Sequence, residues 1–152
     1  MTTQKTWMTL ACAMSLCWAS LSVAAEPDPK ILGYTLPANI AWVDNAARTN
    51  QTAVIYGDSS KPGPYAMLIR WKAGNMRRPH FHENDRFFVV LSGTWWVGTG
   101  PKFDPASTTP MPAGTLVTHF ARGIHYDGAK DTDAIIALHG MGPVSTIPAE
   151  QK

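Results

Sequence analysis

Beyond residue 25, no stretch of this 152-residue chain sustains an apolar repeat of 3.6 residues, and most of its 12 glycines and 12 prolines fall between short β-prone runs. Long helices are thereby excluded. Ile31 to Leu36, Ile40 to Val43 and Thr52 to Tyr56 are separated by Pro37, Asp44-Asn45 and Asn50. After the loop Ser59-Ser60-Lys61-Pro62-Gly63-Pro64, the run Tyr65 to Trp71 places Tyr65, Met67, Ile69 and Trp71 on one face. Further runs follow at Pro79 to Leu91, Thr94 to Gly98, Thr115 to His119, Gly123 to Tyr126 and Asp133 to His139. Gly98 to Gly114, with four prolines, reads as a long connecting loop. Short strands at regular spacing with turn residues between them define an all-β, single-domain sandwich or barrel.

The first 25 residues have a different character. Lys5 is followed by the uncharged apolar stretch Trp7 to Val23 and the small residues Ala24-Ala25, the pattern of a secretory signal peptide. Cleavage after Ala25 leaves residues 26–152 and removes both cysteines, Cys12 and Cys17. Disulfides, thiolate metal sites and a cysteine nucleophile are then unavailable, and stability rests on an apolar core. Loss of Lys5 leaves 12 basic against 11 acidic residues, with no basic run longer than Arg77-Arg78. Such a balance argues against nucleic acid and membrane surfaces as partners, and the signal-peptide pattern implies a periplasmic or secreted protein.

Chemistry concentrates between Gly74 and Gly93. If Pro79 to Leu91 is one strand, alternation places His80, His82, Arg86, Phe88 and Val90 on one face and Glu83, Asp85, Phe87, Val89 and Leu91 on the other. Two imidazoles at i and i+2 on one strand face are a metal-ligand arrangement, although such pairs also occur as ordinary core or surface histidines. The end of this run is apolar on both faces, so a second layer is expected over Phe87, Val89 and Leu91. Of the adjacent Trp95 and Trp96, one must point inward.

The spacing of these residues resembles the paired motifs of the cupin superfamily, small β-barrels of the jelly-roll type. Gly74, His80, His82 and Gly93 stand at the positions of the first motif, whose acidic position is occupied here by Arg86. Gly114 and His125 match the second, with Phe120 and Arg122 where proline and glycine are usual. The resemblance implies a cupin-type antiparallel barrel and a homodimer. It also implies a metal held by His80, His82 and His125: iron first, with manganese, zinc, nickel or copper also suited to imidazole. His119 and His139 read as satisfied structural histidines.

Arg86 departs from the pattern in an informative way, because a permanent cation near a divalent ion is repulsive unless an anion lies between them. Either the site is a metal-free vestige, or Arg86 binds an anionic group of a small-molecule ligand. Glu83 or Asp85 would replace the missing carboxylate only if a bulge turned one inward. The enzyme reading is a metal-dependent cupin acting on a small anionic organic molecule, with non-heme iron dioxygenation as the first reaction and isomerase or lyase chemistry next. The other reading is a non-catalytic ligand- or metal-binding barrel, since no general base stands out beside the three histidines.

Overall fold

A computed structural model describes residues 25–151, so the leader expected over residues 1–25 lies, apart from Ala25, outside the described residues. Two compact units divide the chain between Tyr34 and Thr35. In the first, the amides of Ile31 and Leu32 donate to the Asp28 carbonyl at 2.9 and 3.0 Å, and the Lys30 amide donates to Asp28 Oδ1 at 2.9 Å. These bonds close a turn where the sequence pointed to a strand from Ile31. The β-branched run yields to the Asx-type turn that Asp28 initiates.

The second unit carries eleven strands: β1 Val43–Asp44, β2 Asn50–Tyr56, β3 Gly63–Trp71, β4 Asn75–Phe81, β5 Arg86–Ser92, β6 Thr94–Thr99, β7 Thr109–Pro112, β8 Leu116–His119, β9 His125–Ala129, β10 Ala134–Gly142 and β11 Ile147–Pro148. They form two antiparallel sheets, ordered β1-β2-β3-β10-β5-β8 and β11-β4-β9-β6-β7. From β4 onward the chain passes repeatedly from one sheet to the other. The expected jelly-roll is present as a sandwich of two separately hydrogen-bonded sheets.

The apolar core joins Tyr65, Trp71, Phe88 and Ile136 of the six-stranded sheet to Trp95, Val97 and Ala129 of the five-stranded one. Trp95 is fully buried, with its ring 4.9 Å from that of Phe88, and its indole N–H donates to Asp127 Oδ2 at 2.9 Å. Burial of such a side chain contributes on the order of 3 kcal/mol, and the hydrogen bond removes the penalty its N–H would otherwise carry. Trp96 points the other way, beneath the Lys130 ammonium at 3.8 Å.

Two strand boundaries differ from expectation. The run Pro79 to Leu91 is two strands, β4 and β5, on different sheets, joined by a corner at residues 82–85. Pro79 lies inside β4, where the register with β9 shifts between Arg77 and His80, a place where a missing N–H breaks no regular ladder. The expected loop 98–114 contains β7, which pairs Thr109 to Pro112 with β6. Proline is tolerated there because β7 is an edge strand.

Candidate metal centre

His80 on β4 lies directly opposite His125 on β9 in the ladder. His82 follows one residue after β4 ends. The three rings face one another with centroids 4.4 to 5.4 Å apart, and a ligand nitrogen from each lies within 4.8 Å of the other two. All three residues are buried.

Backbone carbonyls fix which nitrogen each ring presents. His80 Nδ1 contacts the Arg78 carbonyl at 2.9 Å, His82 Nδ1 that of Ser145 at 2.6 Å and His125 Nδ1 that of Gly123 at 2.9 Å. A carbonyl only accepts, so each Nδ1 carries the proton and each Nε2 carries a lone pair. His82 Nε2 and His125 Nε2 are buried without any hydrogen-bond partner. Burial lowers the His80 pKa to about 4. It lowers that of His82 to about 3, with the Arg86 charge adding to the effect, and shifts that of His125 downward as well. Three neutral imidazoles with anchored Nδ1–H groups and converging Nε2 lone pairs fit a divalent transition metal.

Arg86, the first residue of β5, reaches this centre from the opposite sheet. Its Nη1 lies 3.4 Å from His82 Nδ1. Because that nitrogen already donates to Ser145, the contact sets two donors side by side. Arg86 Nε is buried with no partner, and among the described residues no carboxylate forms an ion pair with the guanidinium. Asp127 acts on it electrostatically from further away. Arg86 is half-buried, and a partly desolvated cation without a close counter-charge carries a cost that an anionic ligand would relieve.

Glu83 and Asp85 do not turn inward. Glu83 Oε2 accepts from Arg122 Nε and Nη2 at 3.0 and 2.9 Å, and Asp85 Oδ1 accepts from the Ala121 amide at 2.7 Å. Both side chains tie the corner at 82–85 to the turn before β9. Neither replaces the carboxylate absent at position 86.

The remaining histidines separate. His139 is exposed on β10. His119, read from the sequence as a satisfied structural histidine, is buried with neither ring nitrogen hydrogen-bonded. Its ring packs tilted against those of His125 and Phe88, with centroids 3.9 and 4.7 Å away, and it falls outside the set of converging ligand nitrogens. Ring packing, rather than hydrogen bonding, occupies this imidazole.

A chamber of about 160 Å³ opens beside the cluster, with His80, Arg86, Asp127 and Tyr65 in its lining. A broader groove of about 680 Å³, at Arg78, Phe103 and Lys130, contains none of the histidines. Sequence reasoning passed over Asp127 and Tyr65. Parity offered a signal for the first, since Asp127 follows His125 by two residues and shares its strand face. Tyr65 stood on the face correctly read as apolar, with nothing to set its hydroxyl apart.

No protein-family model matches the sequence, and no curated protein matches it. Solved structures do. The polyketide cyclase RemF from Streptomyces resistomycificus has a TM-score of 0.65 at 12% identity, over 80% of this chain and 87% of that one. An RmlC-like cupin from Shewanella frigidimarina gives 0.56 at 12% identity, over 71% and 88%. Salicylate 1,2-dioxygenase from Pseudoaminobacter salicylatoxidans, in complex with gentisate, gives 0.57 at 15% identity, over 72% of this chain and 31% of that one. At these identities the likeness is one of fold.

Proposed function

We propose that this chain, whose fold is that of the cupins, is an exported metal-dependent enzyme acting on a small anionic organic molecule, with non-heme iron dioxygenation as its reaction. The observation that carries the reading is the set of three carbonyl-anchored Nδ1–H groups, which leaves His80, His82 and His125 presenting neutral Nε2 donors to one point. Three protein ligands leave further coordination positions for small molecules, and an iron ion held there would supply dioxygen activation.

The chain's own residues account for binding and orientation. Arg86 holds the anionic group of the substrate, and that anion offsets the repulsion between the guanidinium and a divalent ion. Burial of all three histidines places these interactions in a medium of lower dielectric than water, which strengthens each of them. Asp127 favours a second reading, because its carboxylate lines the chamber beside His80 and is oriented by the Trp95 N–H at 2.9 Å. A base at that position suits proton abstraction, as in isomerase or lyase chemistry without dioxygen.

The protein functions as a homodimer. Phe87 and Leu91 on β5 and Leu116 on β8 leave half or more of their surface exposed on the outer face of the six-stranded sheet, where a second copy would cover them.

Elemental analysis of protein purified from its native compartment, followed by oxygen-electrode assays with small carboxylates, tests the reading. Iron at close to one per chain and carboxylate-dependent oxygen uptake are expected. Zinc or nickel with product formation in the absence of oxygen would move the assignment to the second reading, and turnover-free metal binding would remove the enzyme.

A further inference from the structure

Tyr65 on β3 pairs with Gly140 on β10, Gly140 pairs with Arg86 on β5, and Arg86 pairs with His119 on β8. These four residues form one row across the six-stranded sheet, facing the His80–His125 row of the other sheet. Tyr65 is 3% exposed, and its hydroxyl has no hydrogen-bond partner. Gly140 explains how the phenol reaches the centre of the row: a Cβ there would stand 2.8 Å from the Tyr65 oxygen and 3.1 Å from its ring. Only a glycine lets the ring lie across β10 toward Arg86, whose charge acts on the phenol.

We infer that Tyr65 and Arg86 form a two-part receptor for a carboxylate, and that the ligand is a monocarboxylate with an apolar body no larger than about one benzene ring. The Arg86 guanidinium lies near enough to the phenol for a weak side-chain hydrogen bond to act on both groups, with Arg86 donating to the phenol oxygen, but neither the Tyr65 O–H nor the Arg86 Nε–H meets an acceptor. Two unsatisfied donors on one side of a chamber call for an acceptor with more than one oxygen, and an oxyanion also answers the guanidinium charge. Met67, Ile69, Trp71, Phe88, Leu138 and Val144 supply apolar lining. The volume of about 160 Å³ sets the size, since an apolar cavity of roughly 150 Å³ accepts benzene. Trp71, whose Nε1 is also unpartnered, lines the same chamber from the far end of β3, and the Asp127 carboxylate lines it beside His80, so the anionic end of the ligand belongs at Tyr65 and Arg86, away from Asp127. The inference rests on the reading of Arg86 as an anion-binding group and adds Tyr65, Gly140 and the ligand's size.

Calorimetric titration of the purified protein, metal-free and zinc-loaded, with benzoate and butyrate tests it, with benzamide and butyramide as neutral isosteres. At least one carboxylate should bind about tenfold or more tightly than its amide. Tyr65→Phe should weaken that carboxylate about ten- to hundredfold, the range for a hydrogen bond to a charged group, and leave the amide unchanged. Its Tm should hold or rise, because a buried unsatisfied hydroxyl is removed. Gly140→Ala should weaken the carboxylate by displacing the phenol. Equal binding of carboxylates and amides by the wild type would overturn the inference, as would wild-type carboxylate affinity in Tyr65→Phe. A fall in Tm with parallel loss of both ligand types would reduce Tyr65 to a packing residue and overturn it likewise. Metal content measured alongside separates the two readings. Carboxylate selectivity in a protein that takes up no zinc leaves the clamp standing and removes the metal enzyme, whereas zinc uptake without selectivity does the reverse.

Discussion

Arg86 decides between an ion site and an anion site, because the side chain at this position lies 3.4 Å from one of the three imidazoles. Its variants should therefore fail differently from those of the histidines. His82→Ala removes one of three donors and should release the metal while the sandwich stays folded, as metal analysis and circular dichroism together would register. Arg86→Ala should keep the metal yet weaken an anionic ligand by about 1.5–3 kcal/mol. Arg86→Glu should raise affinity for a divalent ion by restoring a carboxylate where the cupin pattern has one. A wild type that takes up no metal, beside an Arg86→Glu variant that does, would establish a vestigial site.

The lowered histidine pKa values also set a pH dependence. An unfolded histidine titrates near 6.5, whereas His80 and His82 in the folded metal-free protein titrate at about 4 and 3. Between those values the unfolded chain binds protons that the native chain does not, so stability falls as pH falls from about 6.5 toward 4 and is regained on raising it. Urea midpoints of the metal-free protein at pH 7, 6 and 5 should decrease in that order. Midpoints that stay level would mean that the imidazoles are not held neutral by burial. The three ligand candidates were legible in the sequence because spacing and parity are one-dimensional signals. Asp127 carried the same parity signal relative to His125, but nothing marked its contact with Trp95 or set Tyr65 apart, because the Asp127–Trp95 contact and the position of the Tyr65 hydroxyl exist only once β3, β6 and β9 are assembled.

The corner between β4 and β5 shows why a continuous apolar run misled. His82 keeps the parity expected of a strand, yet residues 82–85 leave the ladder. The Arg122 amide donates to the His82 carbonyl at 2.7 Å, and Glu83 and Asp85 bind the same turn. Those partners lie almost forty residues away in sequence, beyond any local pattern. Arg122 itself occupies the usual glycine position of the second motif and adopts φ 63°, the left-handed region that glycine enters without cost. Its ion pair with Glu83 is exposed and offsets only a fraction of that strain. Arg122→Gly and Arg122→Ala both remove the ion pair, but only glycine relieves the backbone. The glycine variant should therefore be more stable than the alanine variant by about 0.5–1.5 kcal/mol in urea unfolding, the left-handed cost of a Cβ less the extra freedom of glycine in the unfolded chain. Equal stability of the two would show that the turn relaxes around a side chain.

The assembled sandwich buries one face of each sheet and leaves the outer face of β5 and β8 apolar. Phe87 is 53% exposed, Leu91 50% and Leu116 78%, and Val89 pairs with Leu116 in the same ladder. The sequence had indicated an apolar outer face here, because β5 carries large apolar residues on both faces while a single chain has only one core to offer them. It could not indicate where a second copy would sit, which depends on the neighbours that β5 acquires from β8 and β10. Sedimentation at micromolar concentration should give a dimer. Phe87→Glu should give a monomer, since it places a charge at the centre of a surface that must be desolvated on association. The side chain at 87 points away from Arg86 and Phe88, so metal content and carboxylate affinity should be unchanged in that variant. A Phe87→Glu dimer would move the interface elsewhere on the sandwich. A monomer that has also lost its metal would mean that β5 responds as a unit, coupling the outer face to the Arg86 end of the chamber.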